Sequence, residues 1–217
     1  MLRLALTIAV FSLTMVSLLS LDARFAGTRA DDVADRSKGQ ADARIRGCSR
    51  IINSERLFGK PISKKDLAVA YNNRGNAYYD KGELDCAIAD FDTAIKLNPI
   101  YADAYSNRGN AYYDKREYDR AISDYDQAIK LNPKNAKAYY NRGNAYDDRG
   151  EINRAIADYD QAIKLNPKYA DAYFNRGVAY RKKGEKERGI ANYRKALALN
   201  PSHESARKSL KTLGKTP

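Results

Sequence analysis

The sequence predicts an all-α protein, a solenoid of stacked helix-turn-helix units, and three observations carry that prediction. One phrase, Tyr-x-Asn-Arg-Gly-x-Ala-Tyr, recurs every 34 residues at Tyr71–Tyr78, Tyr105–Tyr112, Tyr139–Tyr146 and Tyr173–Tyr180. Within each unit, apolar residues return at three- and four-residue spacings in two segments, the pattern of two amphipathic helices. A glycine parts the segments at Gly82, Gly150 and Gly184, and Leu-Asn-Pro closes the second at Leu97–Pro99, Leu131–Pro133, Leu165–Pro167 and Leu199–Pro201. Glycine suits the left-handed end of a helix, and proline cannot continue a helix interior. A repeat of this size cannot bury its apolar face alone, so neighbours stack into one continuous core.

Taken in order, Met1-Leu2-Arg3 and the uncharged, mostly apolar stretch Leu4–Leu21 read as the charged and apolar regions of an export signal. Residues 1–30 are expected as a cleaved signal peptide with Ala30 at its end, or else as a retained signal anchor. The chain is therefore expected to be exported. It is periplasmic if the signal is cleaved, and otherwise anchored in the inner membrane. Residues 31–43, rich in Asp, Ala, Arg and Ser, read as a flexible tether. Residues 44–67 hold a half-repeat and its connection, because Ile45, Cys48, Ile51 and Ile52 reproduce the spacing of Ile88, Phe91, Ala94 and Ile95. Arg44 breaks that match where a packing alanine is wanted.

Four full repeats follow at 68–101, 102–135, 136–169 and 170–203, the second and third differing at nine positions. Residues 204–217 form a capping helix and tail, with Ala206, Leu210 and Leu213 inward and a polar outer face of the kind that keeps such arrays soluble. Two positions break the pattern. Arg116 stands where the other repeats carry the inter-helix glycine, and Gly189 replaces a helix alanine, each at a cost of about 1 kcal/mol. Gly189 makes the last repeat the one expected to be loosest.

The anchors resemble those of the tetratricopeptide repeat (TPR) family. Its aromatic, Gly, Tyr, Ala, aromatic, Ala and Pro positions are Tyr71, Gly75, Tyr78, Ala87, Phe91, Ala94 and Pro99 in the first repeat. They recur in phase through the other three, with Gly189 as the exception. The resemblance implies a right-handed α-solenoid of four TPRs, with Gly75 and its equivalents letting the two helices approach closely. It also implies that the first helices line a concave groove.

On that basis the expected groove residues are Asn73, Asn76, Tyr79, Asn107, Asn110, Tyr113, Lys137, Tyr140, Asn141, Asn144, Phe174 and Asn175. Asn73, Asn107, Asn141 and Asn175 form one column, similar to the asparagine ladders of known TPR superhelices. A column of amides can pair with successive backbone groups of an extended peptide, or the amides can bond to one another and fix stacking. The carboxylate clamp of chaperone-binding members is matched by Asn76, Asn107 and Lys137, but Asn72 and Asn141 replace its other two cations. A clamp short of two charges holds a C-terminal carboxylate poorly, so that ligand is not expected. Arg74, Arg108, Arg142 and Arg176 stand at a usual leucine position, with Asp90, Asp124 and Asp158 as expected partners and Asn192 at the same position of the last repeat. Arg108→Leu is expected to leave folding intact.

Charge is unevenly spread. The net charge is +12, yet residues 68–169 carry 15 Lys/Arg against 16 Asp/Glu, and residues 170–217 carry 12 against 4. Along the groove, Asp80, Asp114 and Asp148 give way to Arg181 and Lys182, with Tyr79, Tyr113, Tyr140 and Phe174 interleaved. Such a groove favours a peptide with basic residues at one end and acidic residues at the other.

A catalytic reading has little to stand on. His203 is the single histidine, Cys48 and Cys86 read as separate small thiols in preference to a disulfide, and the aspartates recur with the repeat period. The expectation is a non-catalytic adaptor, with no cofactor or metal, that binds a protein or peptide partner and no nucleic acid. An uncleaved N-terminal segment would add membrane proximity. The alternatives are a structural subunit of an envelope complex held by its convex face or ends, and a binder of anionic lipid through the basic C-terminal end.

Overall fold

The computed structural model describes residues 30–57 and 60–216, so the expected signal lies outside the described residues. Ten helices are present among the described residues: α1 (Ala30–Ser54), α2 (Lys64–Asp80), α3 (Leu84–Leu97), α4 (Ala102–Asp114), α5 (Tyr118–Leu131), α6 (Ala136–Asp148), α7 (Ile152–Leu165), α8 (Ala170–Lys182), α9 (Lys186–Leu199) and α10 (Glu204–Thr212). A two-rung antiparallel pair, β1 (Arg56–Leu57) and β2 (Lys60–Pro61), lies between α1 and α2. The chain divides into two units, residues 1–40 and 41–217, and the second carries the repeats.

Residues 31–43, expected as a tether, are helical, because α1 runs unbroken from Ala30 to Ser54. Alanine is a strong helix former, and Ala30, Ala34, Ala41 and Ala43 fall within this stretch. The second half of α1 acts as a second helix would. Its Asp42 pairs with Lys81, as Asp85 pairs with Lys115 and Asp119 with Arg149 further along. Arg44, which broke the expected packing pattern, forms an ion pair with Asp80.

Each repeat folds as a helical hairpin. Gly82, Gly150 and Gly184 take φ of +77°, +82° and +87° between its two helices, and Arg116 is held there at +61°. In that region a side chain meets its own backbone, so Arg116 is strained where glycine would not be. The first helix of each repeat crosses the second at a glycine. A Cβ on Gly75, Gly109, Gly143 or Gly177 would stand 2.7–2.8 Å from a ring carbon of Phe91, Tyr125, Tyr159 or Tyr193. Those rings are at most 1% exposed, and alanines such as Ala87, Ala121 and Ala155 close the space around them.

Gly189 differs from the simple cost expected of it. Its missing Cβ makes room for the aliphatic stem of Arg181, whose Cγ would lie 2.5 Å from a Cβ there. The last joint is sealed by Ala206 and Leu210, both fully buried against Tyr193 and Ala196. His203 starts α10, its Nδ1 accepting from the Ala206 N–H at 3.3 Å while its ring packs on Phe174. Cys48 and Cys86 are both free thiols.

Candidate functional site

The arginines of the repeated phrase come first, because they fix the helices that carry the groove. Arg108 lays Nε and Nη2 on the two oxygens of Asp124 at 2.8 and 2.6 Å. Arg142 does the same on Asp158, and Arg74 on Asp90. The third nitrogen reaches back to the preceding repeat: Arg108 Nη1 to Asp92, Arg142 Nη1 to Asp126 and Arg176 Nη1 to Asp160, each at 2.5 Å. Arg74 has no repeat before it and donates to Ser49 of α1 at 3.1 Å. Each guanidinium also lies over the repeat's first tyrosine, 5.3–5.7 Å from the ring centre. Burial pushes the carboxyls of Asp124 and Asp158 above the usual range even though an arginine pulls them down.

Removing Arg108 would thus strand a carboxylate that is 4% exposed. The expectation that Arg108→Leu leaves folding intact is corrected on that ground.

The amide columns are partly consumed by stacking. Asn141 donates to Asn110 Oδ1 at 2.8 Å and Asn175 to Asn144 Oδ1 at 2.9 Å, each reaching back one repeat. Tyr125 and Tyr159 donate to the same two acceptors. Phe91 has no hydroxyl to do this for Asn76, and Asn107 turns instead to Asn72 Oδ1 at 3.0 Å. Asn107 and Asn141 each keep one N–H and the carbonyl oxygen for another partner. Asn175 spends its second N–H on Tyr140 Oη at 3.0 Å and keeps only the oxygen. The side chains of Asn73 and Asn76 make no hydrogen bond among the described residues, and Asn73 is exposed.

A further ladder was not expected from the sequence. Tyr79 donates to Asp114 and Tyr113 to Asp148, both at 2.5 Å, joining one helix to its equivalent in the next repeat. Burial, reinforced by the neighbouring carboxylate, pushes both phenols up, so they remain donors across the whole physiological range. One repeat further the same link is Lys182 to Asp147 at 2.7 Å. The tyrosine hydroxyl has become a carboxylate and the aspartate an ammonium, and there the rim changes from acidic to basic.

Six of the twelve expected residues come together. Tyr79, Asn110, Tyr113, Lys137, Asn141 and Asn144 line one open pocket of about 310 Å³, with Asp114 and Tyr125. Lys137 has no ion-pair partner among the described residues, and its backbone N–H bonds to the helix cap Asn135. Asp114 and Tyr125 were missing from the expected set. Asp114 was visible as part of the acidic rim, and Tyr125 was read only as a core anchor, although its hydroxyl reaches the groove amide. Asn107 and Asn175 belong to the amide columns outside this pocket's lining. Tyr140 and Phe174 are taken up in packing, Tyr140 against Tyr159 and Tyr169, and Phe174 against Tyr193 and His203. Among the described residues no group of acidic, histidine or cysteine side chains is arranged to hold a metal ion.

Profiles described as TPR repeat match residues 75–115, 109–148 and 143–184, and one described as tetratricopeptide repeat matches 170–203. Among solved structures, a crystal structure of MamA is similar at 28% identity, covering 82% of this chain and 99% of that one with a TM-score of 0.66. A second MamA structure is similar at 29% identity, covering 80% and 91% with a TM-score of 0.64. The first TPR of Spaghetti (RPAP3), bound to the HSP90 peptide SRMEEVD, is similar at 25% identity over 56% of this chain and 97% of its own, with a TM-score of 0.55. The profiles span more than half of the sequence, and the chain belongs to the tetratricopeptide repeat family.

Proposed function

We propose that this chain is a non-catalytic scaffold that holds a segment of a partner protein along the face built by α2, α4, α6 and α8. The observation that carries this reading is the pocket shared by Tyr79, Asn110, Tyr113, Lys137, Asn141 and Asn144, where an unpaired ammonium stands among half-used amides. An extended backbone offers the alternating donors and acceptors that such amides leave open. An interaction role also fits the family, and the RPAP3 array of similar fold holds an HSP90 peptide. The acidic tail of that peptide is not the ligand expected here. Asn72, which stands in place of a clamp cation, is 3% exposed and is engaged by Asn107.

Replacing Asn107 and Asn141 by alanine would disturb stacking and binding together, because both amides hold the previous repeat. Lys137→Glu is the cleaner test, since Lys137 is exposed and its side chain makes no ion pair or hydrogen bond among the described residues. In a pull-down after cross-linking in cells, the variant should lose the partner that the wild type captures while its melting temperature stays unchanged. Equal capture by both would move the interaction to the outer face or the ends of the array, as in an envelope subunit whose groove is incidental. The amides already spent on stacking favour that second reading. Export belongs to the same proposal and rests on the sequence of residues 1–30; recovery of the chain in the cytosolic fraction would remove it.

A further inference from the structure

The last joint of the array uses the positions of the inner joints with opposite chemistry. At each inner joint the residue after the second-helix aromatic is an acid, Asp92, Asp126 or Asp160, and it receives an arginine of the next repeat. Three residues before that arginine stands Tyr105, Tyr139 or Tyr173. At the junction of α9 with α10 the acid has become Arg194, the arginine the buried Leu210, and the tyrosine Arg207. Arg194 and Arg207, with Leu197, Ala198 and Pro201, line an open cleft of about 460 Å³ that contains no acidic side chain. Arg207 Nη2 donates to the Pro201 carbonyl oxygen, which fixes its guanidinium at the cleft. The Arg194 side chain makes no ion pair or hydrogen bond among the described residues.

We propose that this cleft is a second binding site, separate from the groove, that takes an acidic segment of a partner protein. A Glu or Asp carboxylate lies between Arg194 and Arg207, and a neighbouring aliphatic side chain rests on Leu197, Ala198 and Pro201. The chain itself shows the chemistry, because a position-equivalent carboxylate takes a guanidinium nitrogen at 2.5 Å at three inner joints. At the last joint arginines stand at the positions of the acid and the tyrosine, and the carboxylate is left to be supplied from outside. Charge complementarity favours the approach, since residues 170–217 carry 12 Lys/Arg against 4 Asp/Glu. A flat anionic membrane would engage spread lysines. Two guanidiniums flanking an apolar floor match a forked carboxylate next to a hydrocarbon side chain.

The test uses the full chain and a fluorescent, N-acetylated peptide of alternating Leu and Glu, read by anisotropy against a Leu–Lys peptide. Vesicles of phosphatidylcholine with and without phosphatidylglycerol form a parallel arm. The variants are Arg194→Asp and Arg207→Tyr, which restore the inner-joint residues, and Arg194→Gln in case charge reversal disturbs folding. The acidic peptide should bind the wild type, the basic one should not, and each variant should weaken the acidic peptide about tenfold or more. Lys137→Glu should leave that affinity unchanged, which separates this site from the groove. Equal binding by wild type and all three cleft variants would overturn the proposal. So would phosphatidylglycerol-dependent vesicle binding in the absence of peptide binding.

Discussion

The inner joints and the last joint solve one packing problem in two ways. Between repeats, Asp92–Arg108–Asp124 and Asp126–Arg142–Asp158 form chains of carboxylate, guanidinium and carboxylate that cross from one unit to the next. At the end, Leu210 replaces the arginine that would come next and the exposed acid becomes Arg194, while one joint earlier Arg176 keeps Asp160 and donates to Asn192 in place of the buried acid. At the last joint the exposed acid and the arginine it would receive change together, so these two work as one unit. The apolar version seals a core as well as the ionic one does, with Leu210 fully buried. Burial raises Asp124 and Asp158 against the pull of their arginines, so the ionic version is an expensive route to cohesion. Its return is register, because a planar fork on two carboxylates from different repeats admits one stacking geometry.

Arg108→Leu is the strongest way to break this comparison. Alone it should cost about 3–5 kcal/mol in denaturant unfolding, because Asp124 is left buried and unpaired. Adding Asp124→Asn removes the stranded charge and should recover most of that loss. No recovery would mean that the arginine cannot be exchanged for the apolar solution. Gly143→Ala tests the helix crossing that both kinds of joint share. Its Cβ would meet Tyr159 Cε1 at 2.7 Å, and overpacking of this kind costs about 1–3 kcal/mol in the same assay. In the opposite direction, Arg116→Gly should stabilise by about 1 kcal/mol, because φ is already +61° there.

The smallest effect is one of pH. The folded-state pKa of Asp124 is raised, so between its unfolded and folded values the native state holds more protons. Its contribution is complete below the unfolded value and declines as pH rises through the folded one. The stability difference between wild type and Asp124→Asn should therefore move against the wild type as pH rises through the carboxylate range. A flat difference would show that Arg108 fully offsets the burial.

The sequence made the repeats legible because each carries the same seven anchors in phase, and the close approach at Gly75 follows from the aromatic opposite it. The Arg108–Asp124 pair was legible for the same reason, since the arginine recurs in all four full repeats and the aspartate in all but the last. The backward leg from Arg108 to Asp92 has the same sixteen-residue separation, but it joins two units, and a single repeat gives no sign of it. The Tyr79–Asp114 and Tyr113–Asp148 links span 35 residues and depend on the stagger between successive first helices. The amide column was visible, whereas its division between stacking and open valence turned on whether Phe91 or a tyrosine stood opposite. Helix across residues 31–43 was missed because polar composition was weighed above the alanines within it.

Site-specific photo-cross-linking tests the central claim most directly. A photoreactive phenylalanine derivative replaces Lys137 in the groove or Gln127 on the exposed face of α5, one chain at a time. The groove account predicts a partner adduct from position 137 and none from position 127. Adducts from position 127 alone would contradict it and assign the working surface to the outer helices.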